Sequence, residues 1–486
     1  MSPTAVYAVS PPAPRPILPG LVHRATTHAA AQVLEELLHR DYASHHCFFN
    51  DLGYHNHLSH HLVAAYDMGA PPALLRMIYD EEAGIQRPVD LQCDDLTERD
   101  WTTRLGEATA YGSYLAFFTK QIEKDGVSMT VGRFTMAPEA NGNGGMMLAR
   151  LLAAGFHGLI QVGLGVEFGQ DYMVAQGLAM AATTSHHFLE PIMDMPSGVP
   201  QPGSPTKGVT LLALLREVYD SPVLKPLPYD ADETIRSTQF FADPARPAAL
   251  KRIYAKWSVD PSLGAAELDA RVEECLWHAT LLLCATGRPH RAPRLDFFLM
   301  HVLTSALCLP SVLSVLPDPV HKAQLLHAYA RASALSFVRR GGPRIDVPLL
   351  MSYTEHPRPP VPLPGGRNAL GDPSTEGETD PWLAIVQNAL HHKDAHVVKA
   401  VRTLYYCAQR YGRTPAGGAI GAHDGSGKEI HVGMGLMDGT IFVRAAGMLS
   451  GTLGWVAYGE KGREWDRSGL GWDAAWENGD DKGIEG

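Results

Sequence analysis

Twenty-three histidines in 486 residues carry most of the chemistry this sequence offers, because imidazole is both a metal ligand and the side chain that titrates nearest neutral pH. They fall in clusters: HRDYASHH, YHNHLSHH, TSHHF and LHHKDAH. In HNHLSHH, His57 and His61 are four apart and His57 and His60 three apart, so on a helix either pair points at one centre, as paired helical histidines do when they hold a metal. In LHHKDAHVVKAVR, residues 390–402, helical spacing puts His392, His396, Lys399 and Thr403 on one stripe. Leu390, Val397, Val401 and Leu404 fall on a nearly opposed one. Taken alone, that is the pattern of an amphipathic helix with a solvated polar face. His301, in LDFFLMHVLTSALCLP, and His157, in LLAAGFHGLIQVGLGVEF, are different in kind. Each is a lone imidazole in an apolar run, so burial obliges its ring nitrogens to find partners, for His301 a carbonyl or a hydroxyl such as Thr304 or Ser305.

The elements that must position these groups read almost entirely as helix. Apolar residues recur at three- and four-residue spacing over 25–40, 57–68, 72–79, 101–123, 146–160, 208–219, 265–285, 295–309, 319–338 and 382–411, often after an Asp, Ser, Thr or Pro start signal. The best strand signal is KEIHVGMGLMDGTIFVRA, where β-branched residues flank a possible turn at Asp438-Gly439. The expected fold is mainly α, a single large helical domain over 21–476 with a few short strands near the C-terminus. Residues 1–20 read as a flexible Pro-rich leader and 477–486 as a disordered polar tail. Two Pro/Gly-rich stretches, 190–208 and 353–381, read as loops, the second as a long surface excursion within one fold.

Composition narrows the function classes. With 45% hydrophobic and 19% charged residues the chain can bury a sizeable core. A formal charge of -11 without a dense Lys/Arg block argues against nucleic acid and against an anionic membrane surface as partners. No run reaches the roughly 18 uncharged apolar residues of a membrane span, and MSPTAVYAVSPPAPRPILPG lacks a basic region followed by an apolar one. Six scattered cysteines, none in a C-x-x-C pair, fit a reducing compartment. A cytoplasmic protein is expected, of undetermined oligomeric state.

The segments YHNHLSHHLVAAYDMGAPPALL, GFHGLIQVGLGVEF, LDFFLMHVLTSALCLP, DAHVVKAVRTLYY and GREWDRSGLGWDAAW, in that order, resemble the questin oxidase-like family of fungal aromatic-polyketide oxygenases. The resemblance implies a helical fold and oxidative, Baeyer–Villiger-like or ring-opening cleavage of an anthraquinone-type ring, with O2 as co-substrate. It also implies a mononuclear non-haem Fe(II) held by four histidines and a lysine that has captured CO2 as a carbamate. On this sequence those ligands would be His57, His157, His301, His396 and Lys399, with His60 or His61 able to replace His57 or to support it. Glu167 and Asp394 are the fallback carboxylates, while Asp394 and Arg402 read as groups that orient the helix or its ligands.

Such a set is coherent chemistry. A lysine near its usual pKa of about 10.4 is protonated, but burial without a counter-charge favours the amine that adds CO2. His396 and Lys399 are three apart, so both heads reach one metal from one face. A planar aromatic polyketide is the expected substrate, with Tyr172, Gln161, Glu167, Trp455, Trp465, Trp472 and Trp476 as possible pocket residues, although packing roles are commoner for such positions. A flavin-dependent enzyme should open with strand, G-x-G-x-x-G and helix. GLGVEFG (163–169) and GMGLMDG (433–439) have other spacings, so NADPH would enter only as an external reductant. Two other readings stand beside this one: a zinc-type hydrolase using the carbamylated lysine, and a non-catalytic helical scaffold.

Overall fold

The computed structural model describes residues 15–24, 26–90, 95–193, 208–235, 237–361, 372, 375 and 377–477. Among them lie nineteen α-helices, a few short 3-10 turns and one π-helical turn, Gly132–Met136. The fold is mainly α, as the apolar periodicity implies. The short C-terminal strands are not there: among the described residues the only β pairing is isolated bridges, and 441–453 is the helix Ile441–Leu453. Its β-branched residues misled, because Ile441, Phe442, Ala445, Ala446, Leu449 and Leu453 are all buried at a helical, not a two-residue, spacing. Asp438 starts this segment by accepting the Thr440 backbone N–H at 2.8 Å.

The described residues divide into two compact units. One comprises those within Met1–Ser204, Val259–Val272 and Leu307–Ala332, the other those within Pro205–Ser258, Glu273–Ala306 and Ser333–Gly486. In the first unit the core is Met147–Glu167 laid against Asp171–Thr183, with Tyr111–Val131 packed on the latter and His28–Ser44, Leu58–Asp67 and Pro72–Ala83 forming a group beside them. The two central helices approach to backbone contact. A Cβ on Gly165 would sit 2.6 Å from the Val174 backbone nitrogen, and one on Gly177 would sit 2.6 Å from that of Val162. Asp171–Thr183 is buried along nearly its whole surface, so it shows no polar stripe for periodicity to find.

In the second unit, Ala395–Tyr411 packs against Phe297–Ala306, Pro381–Leu390 and Ile441–Leu453. The single helix expected over 382–411 is broken. Pro381–Leu390 ends, and Ala395–Tyr411 starts afresh behind Asp394, whose Oδ1 accepts the His396 N–H at 2.8 Å. Asp competes for backbone donors and so caps helices where it cannot sit comfortably inside them. His392 therefore leaves the His396–Lys399 stripe. Its Nδ1 accepts the Asp394 N–H at 3.1 Å, and its Nε2 lies 3.3 Å from the Leu453 carbonyl. Parts of the leader (1–14), of the loops 190–208 and 353–381, and of the tail (478–486) lie outside the described residues.

Candidate metal centre

Each unit contains a histidine pair of its own. In the first, His57 precedes Leu58–Asp67 and His157 lies on Met147–Glu167, which is not one continuous helix. Ala154, Gly155 and Phe156 take φ of 46, 75 and 63°, three left-handed residues in a row. Only glycine holds that conformation without strain; the other two cost roughly 1–2 kcal/mol each. The break aims His157 afresh and brings the Ala154 carbonyl to its Nδ1 at 2.5 Å. The proton is thereby fixed on Nδ1, and Nε2 presents a lone pair. His57 Nε2 stands 2.9 Å from that His157 Nε2. Two imidazoles bound at a right angle to one metal at about 2.1 Å would hold their nitrogens about 3.0 Å apart, so the pair has the spacing of two neighbouring ligands.

Around this pair, the other histidines of HNHLSHH take different positions. His60 is buried with its ring edge-on to His57, centroids 5.8 Å apart. His61 is turned elsewhere, its Nδ1 3.0 Å from Glu82 Oε1. His55, which sequence reasoning passed over, stacks flat on His157 with centroids 4.2 Å apart and planes 9° off parallel. Burial pushes the His55 pKa down to about 3, so it stacks as a neutral ring. Its sequence signal was the H-x-H spacing to His57, which helical periodicity does not register.

In the second unit, His301 and His396 have ring centroids 5.1 Å apart and each offers a nitrogen within 4.8 Å of the other. His301 Nδ1 donates to the Phe297 carbonyl at 2.9 Å and His396 Nδ1 to Asp394 Oδ1 at 2.7 Å, again leaving Nε2 as the lone-pair nitrogen. Burial alone would raise the Asp394 pKa, but in the metal-free protein with His396 and Lys399 protonated, the charge and hydrogen bonds of His396 and the charge of Lys399 hold its carboxyl well below the usual range. Asp394 is thus the orienting group for His396. Lys399 is buried one turn further along the same helix. Phe297 closes the group, edge-on to His301 and His396 at 5.0 and 5.2 Å, with the Arg467 guanidinium 3.6 Å over its ring.

The start of the His301 helix is fixed by Asp296. Its Oδ1 accepts the Phe298 and Leu299 N–H groups at 2.8 and 3.1 Å, and its Oδ2 pairs with Arg340 at 2.7 Å. Both side chains are fully buried, and burial raises the Asp296 pKa against the pull of Arg340. Nothing in the local sequence advertised that pairing, since the partners are 44 residues apart.

Other residues singled out in the sequence have packing partners. Glu167 Oε1 accepts the Leu21 N–H at 2.6 Å. Gln161 accepts from Ser59 and donates to Gln176, both at 3.1 Å. Tyr172 sits edge-on to Tyr42 at 5.8 Å. Trp472 and Trp476 donate to the Leu227 and Leu470 carbonyls at 2.6 and 3.0 Å, Trp455 lies against Tyr458, and Trp465 is buried. Arg402 is buried on the Lys399 helix. GLGVEFG runs along and just past the end of Met147–Glu167, and GMGLMDG holds a single 3-10 turn.

Three of these imidazoles, His157, His301 and His396, are oriented by protein oxygens on a helical frame. The model of the questin oxidase-like family matches residues 54–404, and the chain belongs to that family. It is 26% identical over 395 residues to a questin oxidase of Aspergillus terreus and 28% identical over 395 residues to one of Aspergillus fumigatus; each match covers 77% of this chain and 80% of the relative. A Baeyer-Villiger oxidase of Pestalotiopsis microspora is 26% identical over 402 residues, with the same coverage. The chain is an enzyme of the oxidoreductase class.

Proposed function

We propose that this enzyme oxidatively opens a quinoid ring of an aromatic polyketide such as an anthraquinone, using one ferrous ion held by His57, His157, His301, His396 and a carbamate on Lys399. The observation that carries the reading is the proton placement. Three of the four imidazoles give their Nδ1 proton to an oxygen, Ala154, Phe297 and Asp394 respectively, and so keep Nε2 for a cation. That the same placement recurs on three rings, together with the 2.9 Å nitrogen pair, supports reading them as a ligand set. The names of the relatives, questin oxidase and Baeyer-Villiger oxidase, support the substrate class and the insertion of oxygen beside a ring carbonyl.

Bound iron would supply O2 activation. The chain's own residues do the rest. The Lys399 amine adds CO2 and releases a proton, giving an anionic oxygen donor. Asp394 keeps the His396 proton on Nδ1. Phe297 and the flat His55 ring exclude water beside His301, His396 and His157.

Oxygen uptake with a hydroxylated anthraquinone tests this. The parent consumes O2 and gives a ring-opened product, while Lys399→Met loses both turnover and metal with its helical circular dichroism unchanged. An active Lys399→Met protein would overturn the ligand set. Metal-dependent turnover that proceeds with zinc and without O2 would replace the oxygenase by a hydrolase.

A further inference from the structure

The second unit contains a cavity of about 880 Å³ built by 218–226, 286–289, 338–348 and 470–473, and none of the proposed metal ligands lines it. That volume suits a small organic molecule. Its walls are divided by chemistry. Leu224, Val338, Ile345 and Leu470 supply an apolar surface, while Lys225, Arg288 and Arg344 bring three cations to the lining.

The two acids of the lining are already engaged. Asp346 caps Val347–Ser352 by accepting the Leu349 N–H at 2.9 Å, and Asp473 pairs with Arg288 at 2.7 Å in an exposed ion pair, a kind that contributes little and exchanges readily. The central guanidinium carbon of Arg344 lies over the Tyr219 ring, 4.0 Å from its centroid. The ring is itself fixed, because the Tyr219 hydroxyl donates to the Pro343 carbonyl at 2.9 Å and accepts the Ile345 N–H at 3.2 Å. Among the described residues no carboxylate pairs with the guanidinium, whose Nη2 donates to the Tyr219 carbonyl at 3.5 Å. A planar cation on an aromatic platform beside an apolar wall is the arrangement that takes an amphipathic anion.

We propose that this cavity is a second small-molecule site, taking a flat apolar body that carries one carboxylate or phosphate, with the body against Val338 and Leu470 and the anionic group between Arg344 and Lys225. The site is independent of the metal reading.

Calorimetric titration of the full chain with 2-naphthoate, 2-naphthyl phosphate and neutral naphthalene-2-methanol tests it, on the parent and on a Lys225→Glu/Arg344→Glu variant. Both replaced side chains are exposed, and the variant's melting temperature verifies that it folds. At least one anion binds the parent, the alcohol does not, and the double variant loses at least about tenfold in affinity, as removing charge-assisted contacts requires. The tighter of the two anions identifies the headgroup. Chelator-treated protein binds the anion equally well. No anion binding, equal binding of the alcohol, an unaffected double variant, or binding abolished by the chelator would each overturn the proposal.

Discussion

Asp394 does two things with one oxygen, and the two can be separated. Its Oδ1 caps Ala395–Tyr411 through the His396 N–H and orients the His396 ring through Nδ1. Asp394→Asn keeps a cap, since the amide oxygen accepts the same N–H, and removes the charge-assisted bond to the imidazole. Such bonds contribute about 1.5–3 kcal/mol. The side chain is 35% exposed, so screening favours the lower end, about 1.5 kcal/mol. Asp394→Ala also loses the cap, about 1 kcal/mol more, for a total near 2.5 kcal/mol. Urea denaturation of the three proteins at pH 7 measures both steps.

The pH dependence follows from the depressed carboxyl. A group whose folded pKa lies below its unfolded value of about 3.9 gives stability that is present above that value and lost as pH falls through the folded pKa. The parent's advantage over Asp394→Asn is therefore constant from pH 7 to about 5 and roughly halved by about pH 3.5. An Asn variant as stable as the parent at pH 7, or a deficit unchanged down to pH 3.5, would refute the assignment of Asp394 as the charged partner of His396.

Three further substitutions probe the scaffold. Ala154→Gly relieves roughly 1–2 kcal/mol of left-handed strain at an exposed position and loses about 0.4–1 kcal/mol through the freer unfolded chain, so chemical denaturation should show a net gain of about 0.5–1 kcal/mol. Arg340→Met strands the buried Asp296 carboxyl and costs about 3–5 kcal/mol, read as a fall in melting temperature and in protection from hydrogen exchange over Phe297–Ala306. Gly177→Ala drives a methyl against the Val162 backbone and costs about 1–3 kcal/mol by overpacking, measured by urea denaturation.

The helical class of the fold was legible because most helices carry one apolar stripe, as in Leu211–Asp220, where Leu211, Leu212, Leu214, Leu215 and Val218 are buried. Where the stripe vanished, so did the signal. Asp171–Thr183 is buried on nearly every side, and Ile441–Leu453 imitates a strand by its β-branched start. The break at 391–394 was missed because the apolar rhythm of 382–411 nearly continues across it, while the deciding contact is one Asp394 oxygen. The histidines themselves stood out by type and spacing. Their orientation did not, because it depends on carbonyls at Ala154 and Phe297, and a backbone carbonyl is present at every residue whatever the sequence. The left-handed turn at 154–156 has only Gly155 to announce it.

The most direct measurement is elemental analysis of the purified protein beside His301→Ala. The account predicts about one iron per chain in the parent and loss of that iron in the variant, with the helical fold retained in both. Stoichiometric zinc in place of iron, or a parent chain that carries no metal after anaerobic reconstitution with Fe(II) and CO2, would contradict it.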